Sequence, residues 1–340
     1  MKTIRWGIIG CGAVTEVKSG PGFQKAAGSE LVAVMRRDGA KAADYARRHG
    51  VARWYDDAEA LIADKDVDAV YVATPPGTHE LYALKVLAAG KPCYVEKPMT
   101  RNGAEARRMV EEFATRGVPL FVAYYRRALP RFLKVKELLD GGALGRIEKV
   151  SWVYADGRQL RAEVRAPWRV VAEESGGGNF LDLASHALDL LDFWLGPLTL
   201  EDASVRNVEQ AYRVEDDVWA EMKAGGVAKE VMVSVSFHGE PWDEFLITGD
   251  KGQVRLSCFG NESVRFAHQG LEEIFEIPNP EHVAMPLIQS VVDELLGKGK
   301  SPSTGATGLR TQVLMDEILA AYYGGREDGF WKRPWPGTTA

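Results

Sequence analysis

A short apolar run, Ile4 to Ile9, that breaks at once into Gly10-Cys11-Gly12-Ala13-Val14-Thr15 constrains this chain more than any other feature. In a strand that enters a helix through two glycines, the first glycine allows a tight turn and the second lets backbone approach a ligand. The leading N–H groups and dipole of the helix then favour an anion such as a pyrophosphate. The third glycine of the usual fingerprint is replaced by Thr15, which bears on how closely helix and strand can pack. An ordinary glycine turn is the plain alternative. The pattern continues, however, through apolar runs at Leu31 to Met35, Ala69 to Ala73, Cys93 to Val95 and Leu120 to Ala123. Between them lie amphipathic stretches such as Lys41 to His49, Leu81 to Ala89 and Ala104 to Arg116, with Gly90 and Gly117 as stops. This alternation predicts strand-helix units on a doubly wound parallel sheet, an α/β Rossmann domain over residues 1–123 that binds NAD(P).

With 340 residues the chain is longer than one core usually serves, and the texture changes after Ala123. A helix pattern at Arg131 to Leu139 ends on Gly141-Gly142. Strand patterns then crowd in at Lys149 to Ala155, Val218 to Met222, Glu230 to Phe237, Phe245 to Thr248 and Gln253 to Leu256. Helix patterns return at Phe180 to Leu195, Val283 to Leu296 and Leu309 to Tyr323. Residues 124–340 therefore read as an α+β domain with a large, mostly antiparallel sheet, whose C-terminal helix is a candidate to pack back on the first domain.

Composition closes off other classes. A net charge of -6 gives no footprint for nucleic acid or an anionic membrane surface, so small molecules are the expected partners. Three cysteines without paired spacing suggest neither a disulfide framework nor a zinc site. The N-terminus runs into its first strand without an apolar leader, and no stretch is long and apolar enough for a membrane span. The cytoplasm is the expected compartment.

Where the second strand ends, Met35-Arg36-Arg37-Asp38 bears on cofactor choice, because arginine favours a ribose 2′-phosphate and an acid binds a free 2′-hydroxyl. NADP is the expected cofactor, with NAD as the alternative. Asp38 either caps the next helix or reaches the ribose, and both arginines could simply face solvent. After the strand at Cys93 to Val95, Glu96-Lys97-Pro98 puts a lysine at the carboxyl edge of the sheet, where such folds bind ligands. A lysine there could exchange protons beside a nicotinamide, or be an ordinary surface residue. In the helix pattern from Phe180, Asp182, His186 and Asp189 share one face of an otherwise apolar helix. That stripe faces water or a cleft. A carboxylate and a histidine one turn apart could also ligate a metal, but no third ligand accompanies them. The triple glycine Gly176 to Gly178 is either flexible or allows close approach by substrate. Arg158, Arg161, Arg165 and Arg169 recur at near-helical spacing and read as a solvated face or as contacts for an acidic substrate. Trp331 and Trp335, among prolines, suggest a docked tail.

In combination these motifs resemble the family of glucose-fructose oxidoreductase, inositol dehydrogenase and the rhizopine-catabolism protein MocA, over nearly the whole chain. The matching residues are Gly10 to Thr15, Ala73-Thr74-Pro75-Pro76 with His79, Glu96-Lys97-Pro98, Tyr124-Tyr125-Arg126-Arg127, and Gly176 to Gly178 leading into Asp182 and His186. The family has glycine where this chain has Ala184, which touches packing rather than chemistry. The resemblance implies hydride transfer between a nicotinamide and a secondary alcohol or ketone of a sugar, polyol or cyclic compound. It further implies a homo-oligomer built through the second domain's open sheet. It assigns Gly10, Cys11, Gly12, Ala13, Val14, Arg36, Arg37, Thr74, Pro75, His79, Glu96 and Lys97 to the cofactor, and Arg126, Lys97, Asp182 and His186 to the substrate. Lys97, Asp182 and His186 are the implied catalytic group, and the Lys97–Pro98 peptide is expected to be cis. Some relatives on this scaffold are NAD-dependent hydrolases or non-catalytic sensors, and these stand as the alternatives.

Overall fold

The computed structural model describes residues 2–156 and 167–324, so Arg158, Arg161, Arg165, Trp331 and Trp335 lie outside the described residues. The chain forms two compact units. One comprises Met1–Leu129 with Pro280–Leu309, and the other Pro130–Asn279 with the chain from Arg310 onward.

The first unit is built on six parallel strands, β1 (Ile4–Ile9), β2 (Ser29–Met35), β3 (Arg53–Tyr55), β4 (Ala69–Val72), β5 (Cys93–Val95) and β6 (Leu120–Val122), ordered β3-β2-β1-β4-β5-β6. Its helices are α1 (Ala13–Val17), α2 (Gly20–Lys25), α3 (Gly39–His49), α4 (Ala58–Ala63), α5 (His79–Ala88) and α6 (Gly103–Arg116). Because both sheet faces are covered, the inner strands are apolar at nearly every position rather than alternating. Trp6 and Ile8 point into one layer with Phe23, Tyr71 and Tyr94, and Ile9 points into the other with Val72, Val95 and Met109. The strand order reverses direction between β1 and β4, the switch point at which open α/β sheets leave a crevice for a ligand. Strand β3 lacks the apolar run that marks the others, since it is a three-residue edge strand with Trp54 exposed.

In the second unit α7 (Pro130–Asp140) precedes β7 (Ile147–Ala155), α8 (Ala172–Ser175) and α9 (Asn179–Leu195). The strands β8 (Leu198–Arg206), β9 (Asp217–Ala224), β10 (Ala228–Ser236), β11 (Trp242–Gly249), β12 (Gly252–Leu256), β13 (Val264–His268) and β14 (Leu271–Phe275) follow. They form an eight-stranded sheet ordered β14-β13-β12-β11-β7-β10-β9-β8, antiparallel except where β7 meets β10. The fold expected from the sequence is the fold observed. Trp152, Val233, Phe245 and Ile247 line the sheet's buried face, and Trp194 of α9 packs edge-on against Phe245 at 5.2 Å.

Two helices close the described chain, α10 (Met285–Leu295) and α11 (Gly305–Tyr323). Leu287, Ile288, Val291 and Val292 of α10 enter the same layer of the first unit as Trp6 and Phe23. Helix α11 begins four residues before the pattern suggests, because Gly305 and Gly308 mask its start. A Cβ on Gly308 would lie 2.7 Å from Val122, so this glycine lets the helix lie close on β6.

Candidate active site

The glycine turn stands at the carboxyl end of β1. Gly10 has a φ of +92°, and a Cβ there would lie 2.8 Å from the Thr74 side chain and 3.0 Å from the Ala73–Thr74 backbone, so glycine is required twice over. Gly12 differs, since a Cβ would meet only the Gly10 carbonyl, 3.7 Å away, and the space above it is open. Thr15, in the place of the third glycine, is buried and folds its hydroxyl back on the turn. It accepts the Gly12 N–H at 2.9 Å and donates to the Gly12 carbonyl at 2.8 Å. The departure thus turns a packing glycine into a brace, and Ala13 and Val14 open α1, where leading N–H groups have no carbonyl within the helix to bond. Cys11 is buried, and burial pushes its thiol up to about 11, so it serves by its backbone rather than as a nucleophile.

Arg36 follows β2 and lays its guanidinium against the turn, donating to the Cys11 carbonyl at 3.4 Å, whereas Arg37 is exposed. Asp38 caps α3, accepting the Lys41 N–H at 3.2 Å and pairing with the Lys41 ammonium at 3.1 Å. The turn therefore has a cation beside it and an acid already engaged elsewhere. An open cradle, a helix start and an adjacent guanidinium fit a phosphorylated dinucleotide.

Thr74 and Pro75 follow β4, and Glu96 and Lys97 follow β5, so with the turn they occupy neighbouring strand ends along one sheet edge. The Thr78 hydroxyl donates to that of Thr74 at 2.8 Å. His79 is fully buried between two loops, with Nε2 2.6 Å from the Thr74 carbonyl and Nδ1 3.1 and 3.2 Å from the carbonyls of Pro98 and Met99. With carbonyls of both loops on its ring nitrogens, His79 straps the Thr74 loop to the Lys97 loop. The Lys97–Pro98 peptide is cis. Lys97 is half-buried, and its N–H donates to Glu96 Oε2 at 3.0 Å, while Glu96 Oε1 accepts the Tyr71 hydroxyl. Burial pushes the Glu96 carboxyl up, against the opposing pull of Tyr71 and Lys97. Arg126 is no solvated loop residue. It is buried, donates to the Tyr125 hydroxyl at 3.0 Å and stacks on that ring at 5.0 Å.

In the second unit the stripe on α9 does not face water. His186 and Asp189 are buried and Asp182 is half-buried. Asp182 pairs with Arg169 at 2.9 Å; Arg169 is exposed, as a solvated face requires, and its guanidinium stacks on Trp168 at 4.4 Å. The ring of His186 lies edge-on to Phe259, centroids 6.1 Å apart. Further along, Asp189 accepts from Thr311 at 3.4 Å and Asp192 takes a bidentate pair from Arg310 at 2.7 and 2.8 Å, fixing α9 to α11.

The glycine run serves the chain's own carboxylate. Glu215 is buried and accepts the Gly178 N–H at 2.7 Å, and a Cβ on Gly178 would lie 2.5 Å from the Glu215 carbonyl. Its other oxygen accepts the Tyr323 hydroxyl at 2.5 Å. Sequence reasoning missed Glu215, yet a signal existed. A long helix opening on Gly178 has no side chain to cap it and needs an acceptor from elsewhere. Among the described residues, no three His, Cys, Asp or Glu side chains gather as a metal site, and no helix is long and apolar enough to cross a membrane.

Comparison with known proteins agrees with this geometry. Residues 4–124 match the oxidoreductase family with an NAD-binding Rossmann fold, and residues 132–255 match the GFO/IDH/MocA C-terminal domain. The chain is 39% identical over 320 residues to oxidoreductase P35 of Formosa agariphila, covering 92% of this chain and 97% of that one. It is 30% identical over 318 residues to 1,5-anhydro-D-fructose reductase of Ensifer adhaerens, covering 90% and 92%. Among solved structures, levoglucosan dehydrogenase in complex with NADH and levoglucosan superposes with a TM-score of 0.84 at 20% identity, over 95% of this chain and 98% of that one. The chain therefore belongs to the GFO/IDH/MocA family, as an NAD(P)-dependent oxidoreductase with a Rossmann domain.

Proposed function

We propose that this protein interconverts a secondary alcohol and the corresponding ketone on a sugar, polyol or related cyclic compound, with NADP preferred over NAD. One observation carries it. Gly10 to Val14, Thr74–Pro75 and Lys97 follow three neighbouring strands, β1, β4 and β5, at the carboxyl edge of one parallel sheet. The anhydrosugar compounds named for 1,5-anhydro-D-fructose reductase and levoglucosan dehydrogenase support the substrate class. The guanidinium of Arg36 beside the turn and the prior engagement of Asp38 support NADP.

The turn, Arg36, Arg37, Thr74, Pro75, Glu96 and Lys97 would hold the dinucleotide, which supplies the hydride acceptor or donor when bound. In the oxidising direction His186 takes the hydroxyl proton as the C–H hydride leaves, and Asp182 orients the imidazole or a neighbouring hydroxyl. Lys97 stabilises the developing alkoxide, and Arg126 binds a further polar group of the substrate. Three buried cysteines suit a cytoplasmic protein. Exposed Trp242 and Ile274, on the sheet face opposite Phe245 and Phe266, suit a homo-oligomer, and light scattering that gave a monomer mass would contradict that assembly.

The deciding experiment follows reduced-nicotinamide absorbance across sugars and polyols with NADP and with NAD. Turnover should be faster with NADP, and Lys97→Met should lower kcat by about 100-fold or more at saturating cofactor. Undiminished turnover by that variant would remove Lys97 from the chemistry, and an NAD-only signal would refute the role given to Arg36.

A further inference from the structure

Seven residues, Ser257 to Ser263, join β12 to β13, although antiparallel neighbours can be joined by two. This loop is anchored by opposite charges from two different elements. Asp243 of β11 accepts the N–H groups of Cys258, Phe259 and Gly260 at 3.0, 2.6 and 3.3 Å, together with the Trp152 indole at 3.1 Å. Arg131 of α7, itself buried, donates to the Ser257 carbonyl and hydroxyl at 3.1 Å each, to the Glu262 carbonyl at 3.0 Å and to the Gly260 carbonyl. Burying a guanidinium is costly unless its donors are satisfied, and a loop that merely connects two strands has no use for such a clamp. Its effect is to fix Phe259. That ring lies edge-on to His186 with planes at 76°, edge-on to Tyr154 at 5.3 Å and tilted on Trp152 at 6.2 Å. Trp152, and Phe237 edge-on to Tyr154, are buried, whereas Phe259 and Tyr154 are half-buried.

Resting on the function proposed above, we infer that Phe259, with Tyr154 beside it, is the substrate-positioning surface of the site. The apolar C–H face of a sugar or other cyclic ring packs on these aromatics while His186 meets the reacting hydroxyl. The electropositive C–H edge of a ring complements the negative face of an aromatic. An open-chain polyol has no fixed apolar face and loses more conformational freedom on binding, so the surface selects cyclic substrates.

Kinetics of the wild-type protein, Phe259→Leu and Phe259→Tyr on the best cyclic substrate and on open-chain polyols test this, with the cofactor Kd and the thermal midpoint measured alongside. Phe259→Leu keeps an apolar side chain and removes the ring. It should raise KM and lower kcat/KM on the cyclic substrate about fivefold to tenfold, leave open-chain turnover within about twofold and leave the cofactor Kd unchanged, and Phe259→Tyr should restore the loss. An active wild type whose Phe259→Leu variant loses nothing, or loses equally on ring and chain, overturns the inference alone. If the wild type turns over no open-chain polyol, the cyclic substrate and the tyrosine rescue decide. A wild type inert on every alcohol and ketone overturns the proposed function first and this inference with it.

Discussion

At the scale of single residues, His79 straps two loops at the sheet's carboxyl edge and carries a pH dependence of its own. Burial outweighs its carbonyl contacts and pulls its pKa from the ordinary 6.5 to about 4, so the folded protein keeps the imidazole neutral. Between those two values the unfolded chain binds a proton that the folded one does not. The contribution of His79 to stability is therefore flat above pH about 6.5 and falls by about 3 kcal/mol as pH drops to about 4. Glu16, held down to about 2 by Arg48 and His49, loses its contribution only below its ordinary value of 4.5. Glu96 and Glu105, both raised by burial, act in the opposite sense. The comparison to make is wild type against His79→Gln by urea unfolding from pH 7 to pH 4. The wild type should lose the extra 3 kcal/mol or so, and parallel curves would show that His79 is protonated in the fold.

At the scale of elements, the segment from β2 into α3 separates two jobs that one sequence stretch could confuse. Asp38 starts the helix, while Arg36, just past the end of the strand, turns back toward the glycine turn. Asp38→Ala should cost about 1 kcal/mol of stability by loss of the cap and leave the NADP-to-NAD ratio of kcat/KM unchanged. Arg36→Gln should do the reverse, lowering that ratio about tenfold with little change in the unfolding midpoint. A shift in cofactor ratio from the Asp38 variant would mean that its carboxylate reaches the ribose after all. The same logic governs α9, where Glu215 supplies from a distance the cap that Gly178 lacks.

At the scale of the molecule, the first unit is not continuous in sequence. Its Rossmann strands end at Val122, but Leu287, Ile288, Val291 and Val292 return from α10 to the layer around Trp6, and each buried side chain of this size is worth about 1.5–3 kcal/mol. Residues 1–129 alone should therefore lack a cooperative thermal transition by circular dichroism, whereas the same residues joined by a short linker to 280–309 should show one. Cooperative folding by residues 1–129 alone would make α10 an accessory rather than a part of that core.

The sequence by itself determined five of the six Rossmann strands, the glycine turn, the lysine at the sheet edge and the helix bearing Asp182 and His186, because hydrophobic period and turn chemistry are local and each inner strand carries its own signal. Edge strand β3 went unseen because it is only three residues long, β8 because five of its nine residues face solvent, and the start of α11 was hidden by glycines chosen for close packing on β6. Only the tertiary structure decided what the polar residues do. That the α9 stripe is buried, that His79 straps two loops, that Glu215 caps a helix from 37 residues away and that Arg131 and Asp243 freeze Phe259 beside His186 are all long-range pairings. A partner brought near by folding leaves no mark on the residues adjacent in sequence, so chemistry of this kind becomes legible only once the chain is packed.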